Sequence, residues 1–115
     1  MPLPEDVRSQ AELLLFLFCH MRVPELRNDY RLVVRFREQA ATLYECVGPW
    51  NPRLPKSTRR AAAQFRYDPA TRMWSVHWAD DRDHWHPYTD VAPTPHLAQL
   101  IAEVHVDPKK LFFPE

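Results

Sequence analysis

Between Phe65 and Tyr88 the chain reads FRYDPATRMWSVHWADDRDHWHPY, and this stretch holds three of its four tryptophans. Trp74, Val76 and Trp78 fall at spacing two with Met73, Ser75 and His77 between them, the alternation of a half-buried strand. Asp80-Asp81-Arg82-Asp83 then turns the chain. A loop of two residues (Asp81-Arg82) or of four gives the same pairing: Ala79 opposite His84, Trp78 opposite Trp85 and His77 opposite His86. Upstream, Asp68-Pro69-Ala70-Thr71 has Asp and Pro where a type I turn wants its first two residues, which predicts Tyr67 opposite Arg72 and Phe65 opposite Trp74. In these registers Phe65, Tyr67, Trp74, Val76, Trp78 and Trp85 share one buried face. Gln64, Arg66, Met73, Ser75, His77, His84 and His86 take the other.

The elements around this core are legible from caps and periodicity. Pro4-Glu5-Asp6 suits a helix start, with two carboxylates at the positive end of the dipole. Val7, Ala11, Leu14, Leu15, Phe18 and Met21 follow at helical spacing, while Leu13, Phe16 and Leu17 add apolar surface on the opposite side, so this helix is either covered twice or pairs with a second copy. Val23-Pro24 stops it. Tyr30, Leu32, Val34 and Phe36 alternate with Arg31, Val33, Arg35 and Arg37, predicting a strand with a core face and a basic face. Its partner is Thr42 to Val47. A three-residue loop, Gln39-Ala40-Ala41, turns Tyr44 and Cys46 inward, whereas a two-residue loop turns Leu43 and Glu45 inward; the first is preferred because burying Glu45 unpaired is costly. Gly48 to Arg60 has three prolines, no periodicity and four cations and is read as a long loop, with the third strand beginning at Ala61. Thr94 as N-cap and Pro95 at the first helical position open a second helix bearing Leu97, Leu100, Ile101 and Val104, which ends before Asp107-Pro108. The tail Leu111-Phe112-Phe113 is too apolar for water and folds back onto the core or onto a partner.

The expected architecture is α+β in a single domain spanning residues 1–115: an N-terminal helix, an antiparallel β-meander of four to five strands, and a C-terminal helix. At least one helix covers the Trp74/Trp78/Trp85 face. The start MPLPEDVRSQ lacks a basic leader, and the apolar run Leu13 to Cys19 is far shorter than the ~20 residues of a bilayer crossing, so no membrane association and a cytoplasmic location are expected. Cys19 and Cys46 have neither metal-knuckle nor disulfide-framework spacing.

Three string motifs carry a family resemblance: FRYDPATRMW, W-A-D-D-x-x-x-W-H-P-Y ending at Tyr88, and the closing E-V-H-V-D-P-x-x-L-F-F. Together they resemble a bacterial family of small proteins described as a domain of unknown function, family 3024. The resemblance covers nearly the whole chain and implies no activity, cofactor or site residue. Arg72 and Lys110 stand where the resemblance leads one to expect glycine, and Phe113 where it leads one to expect tryptophan.

Common enzyme signatures are absent, and with a single glycine a phosphate-cradling loop is hard to build, so no catalytic residues are assigned. In the expected register His84 and His86 project from one face of a strand with His77 across from His86, three imidazoles placed to converge on zinc or nickel. No fourth ligand is evident. Hydrated or hydrogen-bonded surface histidines are the commoner outcome of such a pattern, and His96 and His105 are read as surface residues.

The other candidate is a basic surface. Residues 30–67 hold eight Lys/Arg against Glu38 and Glu45, a balance of 8 − 2 = +6, in a chain whose net charge is zero. Arg31, Arg35, Arg37 and Arg66 point from the sheet away from the core; Arg53, Lys56, Arg59 and Arg60 sit on the long loop, and Trp50 offers a stacking platform. This combination fits a non-enzymatic binding module for a polyanion such as nucleic acid. In the competing reading the first helix covers that face, or its arginines pair with Glu38, Glu45 and the acids of the flanks. The alternatives are a protein-interaction module, with a protein partner or a homodimer, and a small zinc-binding domain using the His cluster.

Overall fold

The structure, a computed structural model, describes residues 2–22, 30–48 and 58–114. The expected helix stop at Val23-Pro24, and Trp50, Arg53 and Lys56, lie outside the described residues. The order of elements is α1 (Glu5–Arg22), β1 (Tyr30–Arg37), β2 (Ala40–Val47), β3 (Thr58–Asp68), β4 (Met73–Ala79), β5 (Trp85–Pro87) and α2 (Leu97–Val106). The five strands form one antiparallel sheet in sequence order, the α+β meander expected from the alternation. No helix is long and apolar enough to cross a membrane among the described residues.

Both helices lie on one side of this sheet. α1 buries Ala11, Leu15 and Phe18, and α2 buries Leu97, Leu100, Ile101 and Val104. These join Leu43, Ala63, Phe65, Tyr67, Trp74 and Val76 in a single core. Each fully buried aliphatic or aromatic side chain contributes ~1.5–3 kcal/mol, so the α2 stripe alone outweighs the helix's weak start. That start differs from expectation: His96 is the N-cap and makes no side-chain capping bond. Thr94 instead pairs with Trp74 through two backbone bonds of 2.7 and 3.0 Å, and its hydroxyl accepts the His96 N–H. A hydroxyl two residues upstream thus ties the entry of α2 to β4.

The tail folds back as its composition demands, with Phe112 and Phe113 buried and the Phe112 ring 5.0 Å from that of Tyr88. Asp107 organises it. This buried carboxylate accepts the N–H groups of Leu111 and Phe112 on Oδ1 and of Phe113 on Oδ2. Arg22, at the end of α1, lies 3.8 Å above the Phe113 ring and donates to the His105 carbonyl, closing α1 against α2.

Three hairpin registers differ from the sequence reading. In β1–β2 the loop is the two-residue Glu38-Gln39, pairing Arg37 with Ala40, so Leu43 and Glu45 point to the helix side and Tyr44 and Cys46 away. The objection to this register was a buried, unpaired Glu45. Glu45 is paired: the Tyr30 hydroxyl donates to Oε2 at 2.6 Å and Arg60 donates to Oε1 at 3.2 Å. In β3–β4 the pairing is Tyr67 with Trp74 and Phe65 with Val76, two places from the expected one, which leaves every side chain on its expected face. In β4–β5 it is Ala79 with Trp85, Trp78 with His86 and His77 with Pro87. That odd shift exchanges faces: Trp85 leaves the buried side, and His86 joins Trp78, stacking on its ring at 4.7 Å.

Non-glycine residues at positive φ explain why the loops were hard to size. Glu38, Arg72, Asp83, Asp107 and Lys110 all have φ between 47° and 62°. Positions 72 and 110 are the two at which the resemblance suggests glycine, and both adopt the backbone that glycine tolerates best.

Candidate functional site

Among the described residues no helix packs on the second face of the sheet. From β1 it presents Arg31, Val33, Arg35 and Arg37; from β2, Thr42, Tyr44 and Cys46; from β3, Arg59, Gln64 and Arg66; from β4, Ser75 and His77. Arg31, Arg35, Arg37, Arg59 and Arg66 are all exposed. The acids lie at its margins. Glu38 is in the β1–β2 turn, and Asp68 ends β3 with its carboxylate accepting the Ala70 N–H.

A β-bulge arranges the arginines of β3. Leu43 pairs with Ala63 but Tyr44 with Ala61, so Ala62 is the extra residue, and Ala62 and Ala63 are both fully buried. Below the bulge odd positions face outward, above it even positions do, which places Arg59 and Arg66 on the same face. The strand therefore begins at Thr58 rather than at Ala61, and Arg59 and Arg60 are strand residues rather than loop residues. Arg60, expected in the basic surface, points to the helix side. There it binds Glu45 and donates from Nη2 to the Phe112 carbonyl at 2.7 Å.

Several neutral side chains hold the open face in shape. Gln64 donates to Thr42 Oγ1 at 2.9 Å while its Oε1 accepts Arg66 Nε at 2.6 Å. One amide thereby fixes the Arg66 stem with a single one of the five guanidinium donors. Arg59 lies 4.7 Å above the Tyr44 ring, a cation–π contact between β3 and β2. Arg35, Arg37, Glu38, Thr42, Tyr44 and Gln64 line a depression of about 620 Å³. Cys46, free and buried beneath this layer, has its thiol pushed up by desolvation, an effect that Arg59, Arg35 and Arg31 partly offset. Tyr44, Thr42 and Gln64 were not singled out from the sequence. Recognising Tyr30 and Arg60 as partners for Glu45 would have admitted the two-residue β1–β2 loop and brought Tyr44 to this face.

The three histidines are not brought together. His77 lies on the open face, next to Gln64 on one side and Pro87 on the other, and its Nδ1 is buried without a partner among the described residues. Desolvation, then the nearby Arg66, hold its pKa below the ordinary imidazole value. His86 is on the opposite face with Nε2 2.7 Å from Asp80 Oδ2, and His84 is an exposed residue of the loop with Nδ1 3.9 Å from the same oxygen. Asp80 also accepts the N–H groups of Arg82 and His84 on Oδ1. These residues build a turn. No group of three or more His, Cys, Asp or Glu side chains is arranged to hold a metal ion among the described residues.

A protein-family model described as a domain of unknown function, DUF3024, matches residues 3–114 of the chain. No curated protein and no solved structure matches it.

Proposed function

The chain belongs to the DUF3024 family, a domain of unknown function, and from that premise, with no activity to carry over, we propose a reading from geometry alone. The protein is a non-enzymatic, cytosolic binding module whose open sheet face engages a polyanion, single-stranded or structured nucleic acid. The observation that carries this reading is the sorting of charge. Arg31, Arg35, Arg37, Arg59 and Arg66 share one face on which no helix packs among the described residues, while Glu45 is on the other side with Arg60, and Glu38 and Asp68 lie at the margins of the basic face. The zero net charge of the whole chain is thus no measure of the potential over this surface.

The side chains suit a sugar–phosphate backbone better than a small ligand. Arginine presents planar donors that match phosphate oxygens, and five of them, three on β1 and two on β3, can follow an extended strand of nucleic acid. Tyr44 and the exposed-side Trp85 offer aromatic surface for stacking bases, and Gln64, Thr42 and Ser75 supply hydrogen-bonding groups between the charges.

Salt dependence tests this. Each phosphate neutralised releases counterions, so the slope of log affinity against log salt changes by about 0.7–0.9 per contact. Replacing Arg35 and Arg37 together by Ala should lower the slope by roughly 1.4–1.8 and leave the melting temperature nearly unchanged, since both are exposed. Fluorescence anisotropy with a labelled oligonucleotide measures it. If the wild-type protein passes unretained through heparin at low salt and shifts no oligonucleotide, the reading is wrong.

A further inference from the structure

A second surface lies on the other side of the molecule. Helix α1 buries Ala11, Leu15 and Phe18 but leaves Leu13, Phe16 and Leu17 at 60, 69 and 47% exposure, and Met21, which its spacing groups with the buried side, at 82%. Counted from Leu13 these follow at three, four and eight residues, so they form one continuous stripe opposite the buried one. With ~200 Å² for each large apolar residue, the exposed fractions amount to roughly 500 Å². That sits toward the top of the ~300–600 Å² range for the largest apolar patch of a monomer. Doubled across a two-fold axis it reaches about 1,000 Å², the least that a specific interface needs.

We propose that this stripe is a homodimer interface in which α1 packs antiparallel against α1 of a second copy. A two-fold contact brings the residue on the axis against itself, so its centre has to be uncharged. Leu17 satisfies this. With Leu17 on the axis, Leu13 of one copy meets Met21 of the other, four residues away on either side, and Phe16 flanks the seam. The nearest charged flank is already neutralised, because Arg8 and Glu12 pair at 2.7 Å within the helix. Antiparallel packing also sets the acidic first turn and the basic last turn of the two helices head to tail, with their dipoles opposed. Because the stripe points away from the sheet, pairing leaves both arginine-bearing faces uncovered and turned outward. The dimer does not depend on what those faces bind.

Sedimentation velocity over a hundredfold range of concentration tests the pairing. The wild-type mass should rise from that of one chain, 13.7 kDa, toward twice that value. Leu17→Glu and Leu17→Lys should each remain at one chain, because either places like charges against each other on the axis. An equimolar mixture of the two should recover the dimer. Phe16→Gln, which adds no charge, should weaken association roughly tenfold or more. Far-UV circular dichroism should be unchanged in all of them, since Phe16 and Leu17 lie outside the core. A wild-type protein at one-chain mass throughout overturns the proposal. So do variants that associate as the wild type does, or a charge-paired mixture that stays monomeric.

Discussion

Replacing Asp107 by Ala removes the acceptor from three backbone N–H groups at once, those of Leu111, Phe112 and Phe113. Bonds to an ionised acceptor are worth ~1.5–3 kcal/mol each, and a buried donor left without a partner costs ~1–3 kcal/mol. Their sum exceeds what the tail can bear. The alternative open to the variant is to release the tail, which exposes Phe112 and Phe113 at ~1.5–3 kcal/mol each and frees Arg60 from the Phe112 carbonyl. The smaller of these two losses sets the expected destabilisation, about 3–6 kcal/mol, a large part of the ~5–15 kcal/mol that holds a protein folded. Backbone strain enters separately, because Asp107 sits at φ 47° and ψ 60°. Alanine there costs ~1–2 kcal/mol more than glycine, so Asp107→Gly should recover about that much relative to Asp107→Ala. Asp107→Asn tolerates the same backbone and keeps one acceptor oxygen, but presents an NH₂ to a donor, and should fall between wild type and Ala. Urea unfolding followed by tryptophan fluorescence measures all three. An Asp107→Ala protein within ~0.5 kcal/mol of wild type would falsify the carboxylate's role in seating the tail.

The tryptophans of β4 should separate clearly. Trp74 is buried beside Tyr67, with ring centroids 5.1 Å apart, so Trp74→Ala should cost ~3–5 kcal/mol, while half-buried Trp78 should cost less than half of that; equal losses in thermal unfolding would mean that the core lies elsewhere. The hairpin tip should be acid-sensitive. The His86 imidazole first, then the His84 N–H, hold the Asp80 carboxyl at about 2, below its ordinary 3.8. A group depressed in the folded state stabilises it above the ordinary value, and that contribution is lost as pH falls from about 3.8 to about 2. Asp80→Asn should therefore flatten the melting temperature over this window, and a carboxyl resonance titrating near 3.8 would refute the clasp.

How much of this was legible follows from where the information sits. Within each strand the alternation assigns faces correctly: Phe65, Tyr67, Trp74 and Val76 go inward and Arg31, Arg35, Arg37 and Arg66 outward, because burial acts on each residue of the strand. Between strands everything depends on whether a loop is odd or even, and the usual markers of loop length are glycine and asparagine at positive φ. This chain uses Glu38, Arg72 and Asp83 at those positions. The β4–β5 connection ran to five residues instead of two or four, and a single odd step carried Trp85 out of the core and separated His77 from His86. The His cluster was thus a property of the assumed register. Asp107 was equally hidden, since Asp-Pro after a helix reads as a stop signal, and nothing in its identity announces three acceptor bonds to residues four to six places on.

The sorting of the arginines arises from a different source. In a regular strand Arg60 shares a face with Gln64 and Arg66, and Arg59 with Ala63 and Phe65, which would place Arg59 against the core and Arg60 in the open. The run Ala61-Ala62-Ala63 permits the opposite, because three small side chains let the strand bulge and bury two neighbours in succession without overfilling the core. One inserted residue therefore has two effects. It delivers Arg60 to Glu45 and the tail, where its charge is matched, and it adds Arg59 to the exposed set, where it lies over Tyr44. The number of outward arginines is the same with or without the bulge; what the three alanines decide is which of two neighbouring arginines is matched by Glu45 and the tail and which lies over Tyr44, and composition alone cannot reveal that choice.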